Sequence, residues 1–440
     1  MTILFERAWI LTMDDAMHEY RDGWLLAKDG VIAGVGAGAY PGEEKVDERI
    51  DCRGGILLPG FVNVHAHASM VPFRTMGDDC PDRLRRFLFP LENEAMTPEL
   101  VYLGAKYGIA EMLLAGVTTF VDMYYFEDEV ARACMEMGMR SYLGETIIGQ
   151  TTCDSKDAPY GGFAIAEAML ERYKGCDLVR PIIAPHGTTT LDADALRRCH
   201  EIAARYDALM TLHVSEMDYE MRHFAEMGMT PMQFMDSIGA ADGHLLAAHC
   251  IHLTEEDIAL MARRGVRVAH CIGSNTKAGK GIAPVKELLA AGVPVGLGTD
   301  GPSSGNTLSM FDQMRLFADC HKVKNRDRSL FPAKEIVALA TRGGARALGA
   351  EGQFGQLCPG MRADAVLVET QSVNMFPVYN PYSALVYSAN AANVEAVMAG
   401  GVLRVKDKHL TQMELPALRA QLARAMRPFE RSAAQYADII

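Results

Sequence analysis

Apolar and polar positions along the chain fall into distinct textures. Residues 1 to about 56 alternate with the period of two that marks half-buried strands, as in Ile3-Leu-Phe, Trp9-Ile-Leu and Trp24-Leu-Leu-Ala-Lys. Asp29-Gly30 sits between Leu26-Ala-Lys and Val31-Ile-Ala and predicts a hairpin, because both residues tolerate positive φ. The same texture returns in Asp364-Ala-Val-Leu-Val-Glu and in Val394-Glu-Ala-Val-Met-Ala-Gly-Gly-Val-Leu-Arg-Val. The two ends, 1–56 and 362–410, are therefore expected to pair into one small composite β domain.

Between them, apolar strands alternate with helical stretches, the pattern of parallel β with crossover helices. Eight strands are predicted, beginning at Gly60, Val117, Arg140, Val179, Leu209, Leu245, Val266 and Val293. Thr97-Pro98 reads as a helix start, with Thr as cap and Pro in the first turn, and Gly116 as its stop. Thr254-Glu-Glu-Asp257 reads as a capping box, with Gly265 after the helix. Eight such alternations over about 250 residues have the size of a (β/α)8 TIM-like barrel, here spanning 57–361. A doubly wound open sheet is the runner-up. Residues 411–440 read as an Ala- and Arg-rich helical segment without chemistry of its own.

Composition narrows the class. The 440 residues are 49% hydrophobic and 22% charged, values of an ordinary globular protein. A formal net charge of -13 offers no basic field for nucleic acid or an anionic membrane surface. The start of the chain lacks the pattern of a signal peptide, and no run of about 18 uncharged apolar residues is present. None of the ten cysteines forms a Cys-x-x-Cys pair, which predicts free thiols in a reducing compartment. The expectation is a cytoplasmic protein with a small-molecule partner and homo-oligomerisation left open.

Chemistry concentrates at the ends of the predicted strands. The first ends in His65-Ala-His67, whose alternate residues face one side and could offer two imidazoles to a metal. The fourth ends at His186, the fifth in His213-Val-Ser-Glu216, the sixth at His249, the seventh at His270 and the eighth in Thr299-Asp300. A single such residue is commonly a packed rim histidine. Six of eight strand ends carrying His or Asp is more than packing requires.

This set resembles the amidohydrolase superfamily over essentially the whole chain, in its one-metal branch of aminohydrolases and triazine hydrolases. The stretches Phe89-Pro-Leu-Glu92, Ala247-Ala-His-Cys-Ile-His-Leu253, Val268-Ala-His-Cys-Ile-Gly-Ser-Asn275 and Leu297-Gly-Thr-Asp-Gly-Pro-Ser-Ser304 are most similar to S-adenosylhomocysteine/5′-methylthioadenosine deaminases. The resemblance implies a barrel flanked by a β-sandwich from both termini. It implies metal ligands at His65, His67, His213 and Asp300, a donor set that suits Zn2+ and would also take Fe2+ or Mn2+. Two-metal relatives carry a carboxylated lysine at the end of strand four. Here that end is Ala184-Pro-His186, so one metal is expected.

The same likeness implies that Glu216 moves the proton of the activated water, that His249 orients the water, and that Asp300 acts as a second base. Glu92, His186 and Ser304 would contact substrate. His252 reads as structural, His270 as either a brace or a core residue, and Asn275 as a fixer of the loop after strand seven. Residues 68–96 form a long loop with the position of a lid or specificity element. Adenosine-type relatives stack a tryptophan there on the purine. This stretch has none, which leaves Phe87 or Phe89 for that task. The implied activity is metal-dependent hydrolytic deamination of an amino-substituted purine, nucleoside, pterin, pyrimidine or triazine. Triazine-type hydrolytic dehalogenation and a catalytically inactive binding protein are the alternatives.

Overall fold

The computed structural model describes residues 1–439. Two compact units are present: Met1–Asn63 with Ala110–Phe120 and Ser309–Met413, and Val64–Ile109 with Val121–Leu308 and the segment from Glu414 onward.

The amino-terminal strands are β1 (Thr2–Leu11), β2 (Glu19–Lys28), β3 (Val31–Ala37), β4 (Glu48–Asp51) and β5 (Ile56–Pro59). β2 and β3 pair antiparallel with Lys28 opposite Val31, and Asp29 and Gly30 take φ of 51° and 85° in the turn between them. The expected hairpin is present.

Eight parallel strand positions follow, each separated from the next by at least one helix: β6 (Phe61–Ala66), β7 (Val117–Tyr124), β8 (Arg140–Ile147), the split pair β9 (Val179–Pro181) and β10 (Ala184–Pro185), β11 (Met210–Val214), β12 (Leu245–His249), β13 (Arg267–His270) and β14 (Val295–Leu297). The fourth position is interrupted where the backbone changes partner: Ile182 N–H bonds Leu143 and Ile183 N–H bonds Leu209. The ladders run β6-β7-β8-β10 and β11-β12-β13-β14. Parallel bridges Ile183–Met210 and Gly187–His213 connect them. At the far edge Asp300 N–H donates to the His65 carbonyl at 3.0 Å, bringing the last strand end back beside the first. These are the strand order and connections of a (β/α)8 fold.

Helix starts and stops follow the sequence signals. Pro98–Leu114 begins after Thr97, whose hydroxyl accepts from Leu100 N–H, and Gly116 takes φ 84° beyond its end. Glu255–Arg264 carries the reciprocal Thr254/Asp257 capping box and closes at left-handed Gly265. Residues 68–96 differ from the expected loop. A turn of 3-10 helix (Ala68–Phe73), a π turn (Leu84–Leu88) and a helix (Phe89–Ala95) occupy most of it. Its apolar residues Phe73, Phe87 and Leu91 are fully buried, and local helices bury them while satisfying their own backbone.

The late strands are β15 (Ala365–Val368), β16 (Val394–Ala399), β17 (Val402–Lys406) and β18 (His409–Leu410). β5 pairs antiparallel with β15, Leu57 opposite Leu367, and so joins the two ends of the chain. The result is one continuous nine-stranded ladder, branched where β4 pairs with β1, rather than two separately bonded sheets. Ile3, Phe5, Leu25, Ile32, Leu57, Leu367, Met398 and Leu403 share a single core beneath it. Among the described residues all ten cysteines are free, and no helix is long and apolar enough to cross a membrane.

Candidate active site

The sequence-selected residues converge where the strands end. The rings of His65 and His67, two residues apart at the end of β6, lie 4.9 Å from each other. His213 on β11 brings its ring to 5.1 Å from His65 and 5.6 Å from His67. One ligating nitrogen from each of the three falls within 4.8 Å of the others. Asp300, just past β14, places Oδ1 3.2 Å from His67 Nε2. Close backbone approach makes this possible. A Cβ at Gly298 would stand 2.9 Å from the Cβ of His65 and 3.0 Å from its backbone nitrogen.

The outer nitrogens are also committed. His67 Nδ1 bonds the Met123 carbonyl at 2.5 Å, and His213 Nδ1 bonds the His186 carbonyl. Such bonds fix the tautomer and leave Nε2 as the donor atom, an arrangement common to metal-binding histidines. Burial, then the neighbouring imidazoles, hold His65 far below its ordinary pKa, and burial lowers His213 to about 3. Both rings are therefore neutral and can donate a lone pair. Burial opposes charge on His67 as well, but the hydrogen bond and charge of Asp300 raise it to about 9. Three imidazoles and one carboxylate in this arrangement fit a divalent metal with zinc-like preferences. Cys271 shares a second cluster with His65 and His249. Burial and the nearby Asp300 keep it a protonated thiol, a poor ligand.

Glu216 and His249 adjoin the cluster. His249 Nε2 lies 3.6 Å from Glu216 Oε1, while His249 Nδ1 bonds Asn275 Oδ1 at 2.7 Å. Asn275 thus acts on His249, beyond the loop-fixing task read from sequence. Burial raises the pKa of Glu216, but His249, Lys280 and His213 outweigh it and hold the group well below the usual carboxylate range. Ser215, His249 and Asp300 all take left-handed backbone, with φ of 52°, 69° and 59°. Non-glycine residues hold this conformation at a cost, and its clustering here turns three strand ends into the site.

A cavity of about 490 Å³ opens over these residues and is also lined by Arg83, Phe89, Glu92, His186, Lys280 and Ser304. The Tyr124 hydroxyl donates to Glu92 Oε1 at 2.9 Å, and burial raises Glu92 to about 7. His186 lies between Phe89, at 5.4 Å, and His213, at 5.0 Å. Ser304 Oγ accepts from Arg83. Phe87 does not reach the cavity lining; it is buried with its ring 6.2 Å from Tyr436. Of the two phenylalanines, Phe89 is the one available to a ligand. His252 is also absent from the lining and lies 3.8 Å from exposed Asp218. His270 is fully buried and does not line the cavity, which fits the core alternative.

Three residues escaped the sequence reading. Lys280 forms an ion pair with Glu216 Oε1. Arg83 reaches the cavity from the segment that lacks tryptophan. Glu220 accepts the backbone N–H groups of Ser215 at 2.9 Å and Glu216 at 2.8 Å, pinning the loop that presents Glu216. Its signal was available: an acidic residue in the first turn of Asp218–Glu226 is where a carboxylate satisfies preceding N–H groups.

Comparison with known proteins agrees with this geometry. The amidohydrolase family model matches residues 56–404. The chain belongs to the amidohydrolase family. A 5-methylthioadenosine/S-adenosylhomocysteine deaminase of Syntrophobacter fumaroxidans is 36% identical over 437 residues, covering 97% of this chain and 98% of the relative. An adenosine deaminase from Xanthomonas campestris with bound zinc superposes with a TM-score of 0.94 at 30% identity, covering 98% of each chain. The zinc complex of an atrazine chlorohydrolase from Arthrobacter aurescens matches with a TM-score of 0.89 at 24% identity, over 96% of this chain and all of the other; that likeness concerns the fold.

Proposed function

We propose that this amidohydrolase is a metal-dependent hydrolytic deaminase of an amino-substituted nitrogen heterocycle, releasing ammonia. The observation that carries the reading is the placement of Glu216, beside His249 and at the rim of a three-histidine, one-aspartate cluster. His65, His67, His213 and Asp300 are assigned as ligands of one divalent ion, with zinc favoured by the donor set. When bound there, the ion supplies Lewis acidity that brings the pKa of a water toward roughly 7.

The chain's own groups supply the remaining steps. Glu216 accepts a proton from the attacking water and hands it to the ring nitrogen beside the carbon under attack. His249 Nε2 holds the attacking oxygen while that carbon becomes tetrahedral. Asp300 takes the second proton and passes it to the exocyclic amine, which leaves as ammonia. Phe89 offers a face to the heterocycle, and Glu92, His186 and Ser304 contact its substituents. The ten free cysteines and the acidic charge support a cytoplasmic setting and a small-molecule partner rather than nucleic acid. We assign 1–56 with 362–410 to a composite β domain, 57–361 to the hydrolase barrel, and 411–440 to a helical appendage.

An ammonia-release screen over aminopurines, nucleosides, aminopterins and aminotriazines tests the reaction class. Chloride release from a chlorotriazine without any ammonia release in the screen would replace it with the dehalogenase alternative. Glu216→Gln should lower turnover of the best substrate by about 10²–10⁴-fold and leave the metal content unchanged.

A further inference from the structure

Lys280 lines the cavity with its side chain only 19% exposed, and its ammonium meets Glu216 Oε1. A lysine desolvated this far normally loses proton affinity. Here the carboxylates of Glu216 and Asp300 outweigh burial and keep it charged. His249 Nε2 faces the same Oε1 at 3.6 Å. Both partners therefore fall on one oxygen of Glu216, and Oε2 is the oxygen left to carry a proton.

The backbone beneath is held separately. Glu220 accepts the N–H groups of Ser215 and Glu216, so the loop is pinned while the Glu216 side chain still has three rotatable bonds. Unless something fixes them, those rotors must be ordered at an entropic cost in each turnover. A fixed ammonium on one oxygen removes most of that freedom.

We propose that Lys280 is a positioning residue for the hydrolytic step: it clamps Glu216 Oε1 beside His249, so that Oε2 moves the proton from water to substrate nitrogen. The inference rests on the role assigned to Glu216 above. It assigns to a loop lysine, flanked by Gly279 and Gly281, a task that the strand-end residues do not perform.

The test uses zinc-loaded full-length protein and the best substrate from the ammonia-release screen. Lys280→Met should lower kcat by about 10–100-fold, as for a misplaced catalytic group. KM should stay within about threefold and zinc content should not change. Lys280→Arg should recover part of kcat. Adding Lys280→Met to Glu216→Gln should cost nothing further, because the positioned group is already gone. In a crystal structure of the Lys280→Met protein, the Glu216 carboxylate should have moved away from His249 Nε2. Lys280→Gln, which keeps a donor without the charge, carries the same test if the apolar variant does not accumulate.

Three results would overturn the proposal: wild-type kcat in Lys280→Met, a raised KM at unchanged kcat, or an equal further loss in the Glu216→Gln background. Full activity of Glu216→Gln itself would instead remove the reading of Glu216, whatever Lys280 does.

Discussion

Glu92 is a carboxyl that the fold keeps short of its charge. It is 5% exposed, it accepts a hydrogen bond from the Tyr124 hydroxyl, and burial lifts it to about 7 from an ordinary 4.5. The folded chain thus holds this proton longer than the unfolded chain does. Its ionisation penalty is absent below about pH 4.5, grows as pH rises, and is complete above pH 7. At 1.36 kcal/mol per unit, the penalty reaches roughly 3 kcal/mol at most. Glu92→Gln should therefore gain stability over wild type at pH 8 and gain little at pH 4.5. Denaturant melts of both proteins at the two pH values measure this difference. A constant difference across the range would mean that Glu92 titrates alike in the folded and unfolded chains. Asp122, also raised to about 7 by burial, titrates in the same window in both proteins and cancels from the comparison.

Legibility at this scale follows chain geometry. His65, His67, His213, His249 and Asp300 were visible because a strand end fixes where its last side chains go. Lys280 and Arg83 were not, because each reaches the cavity from a segment whose path is set by tertiary packing. Gly279-Lys-Gly281 reads as an ordinary turn until Glu216 is seen beside it.

Among the elements, the carboxy-terminal helix Leu415–Ala433 has more to do than its sequence suggested. Phe429, 1% exposed, meets Phe73 edge-on at 4.8 Å, and Tyr436 lies 6.2 Å from Phe87. Gln435 adds a hydrogen bond to Glu94. These contacts fall on the 68–96 segment that presents Arg83, Phe89 and Glu92 to the cavity. The sequence separated this segment correctly from the strands yet read it as a loop. Its helices are short, and their burial depends on a partner more than 300 residues away. Phe429→Ala removes a packed aromatic, a change that typically costs 3–5 kcal/mol where the site cannot collapse. The expected result is a lower melting temperature and a KM raised more than kcat is lowered. A lower melting temperature with unchanged KM would confine the helix to a structural role.

At the scale of the whole molecule, the proposed metal would compete with a proton for one site. His67 carries its proton up to about pH 9 because Asp300 lies beside it, with Nε2 and Oδ1 3.2 Å apart. A metal can take that Nε2 only by displacing the proton, so binding and deprotonation are linked. Below pH 9 each unit of rising pH multiplies the small deprotonated, ligand-competent fraction of His67 about tenfold. Apparent zinc affinity should accordingly climb close to tenfold per unit between pH 6 and 8, and flatten above 9. Competition against a chromophoric chelator, with the chelator's own pH dependence subtracted, reads this slope. The same titration should end at one equivalent per chain, since the end of strand four offers His186 and no lysine. With zinc held by the proposed ligands, which lie far apart in the unfolded chain, saturation at 100 times Kd should add about 2.7 kcal/mol of stability. Chelation should remove that gain, and equimolar zinc should restore it. A pH-independent affinity would show that the His67–Asp300 proton is not the competitor. A second tight equivalent would bring Cys271 or His249 into the ligand set and change which groups are free to move protons.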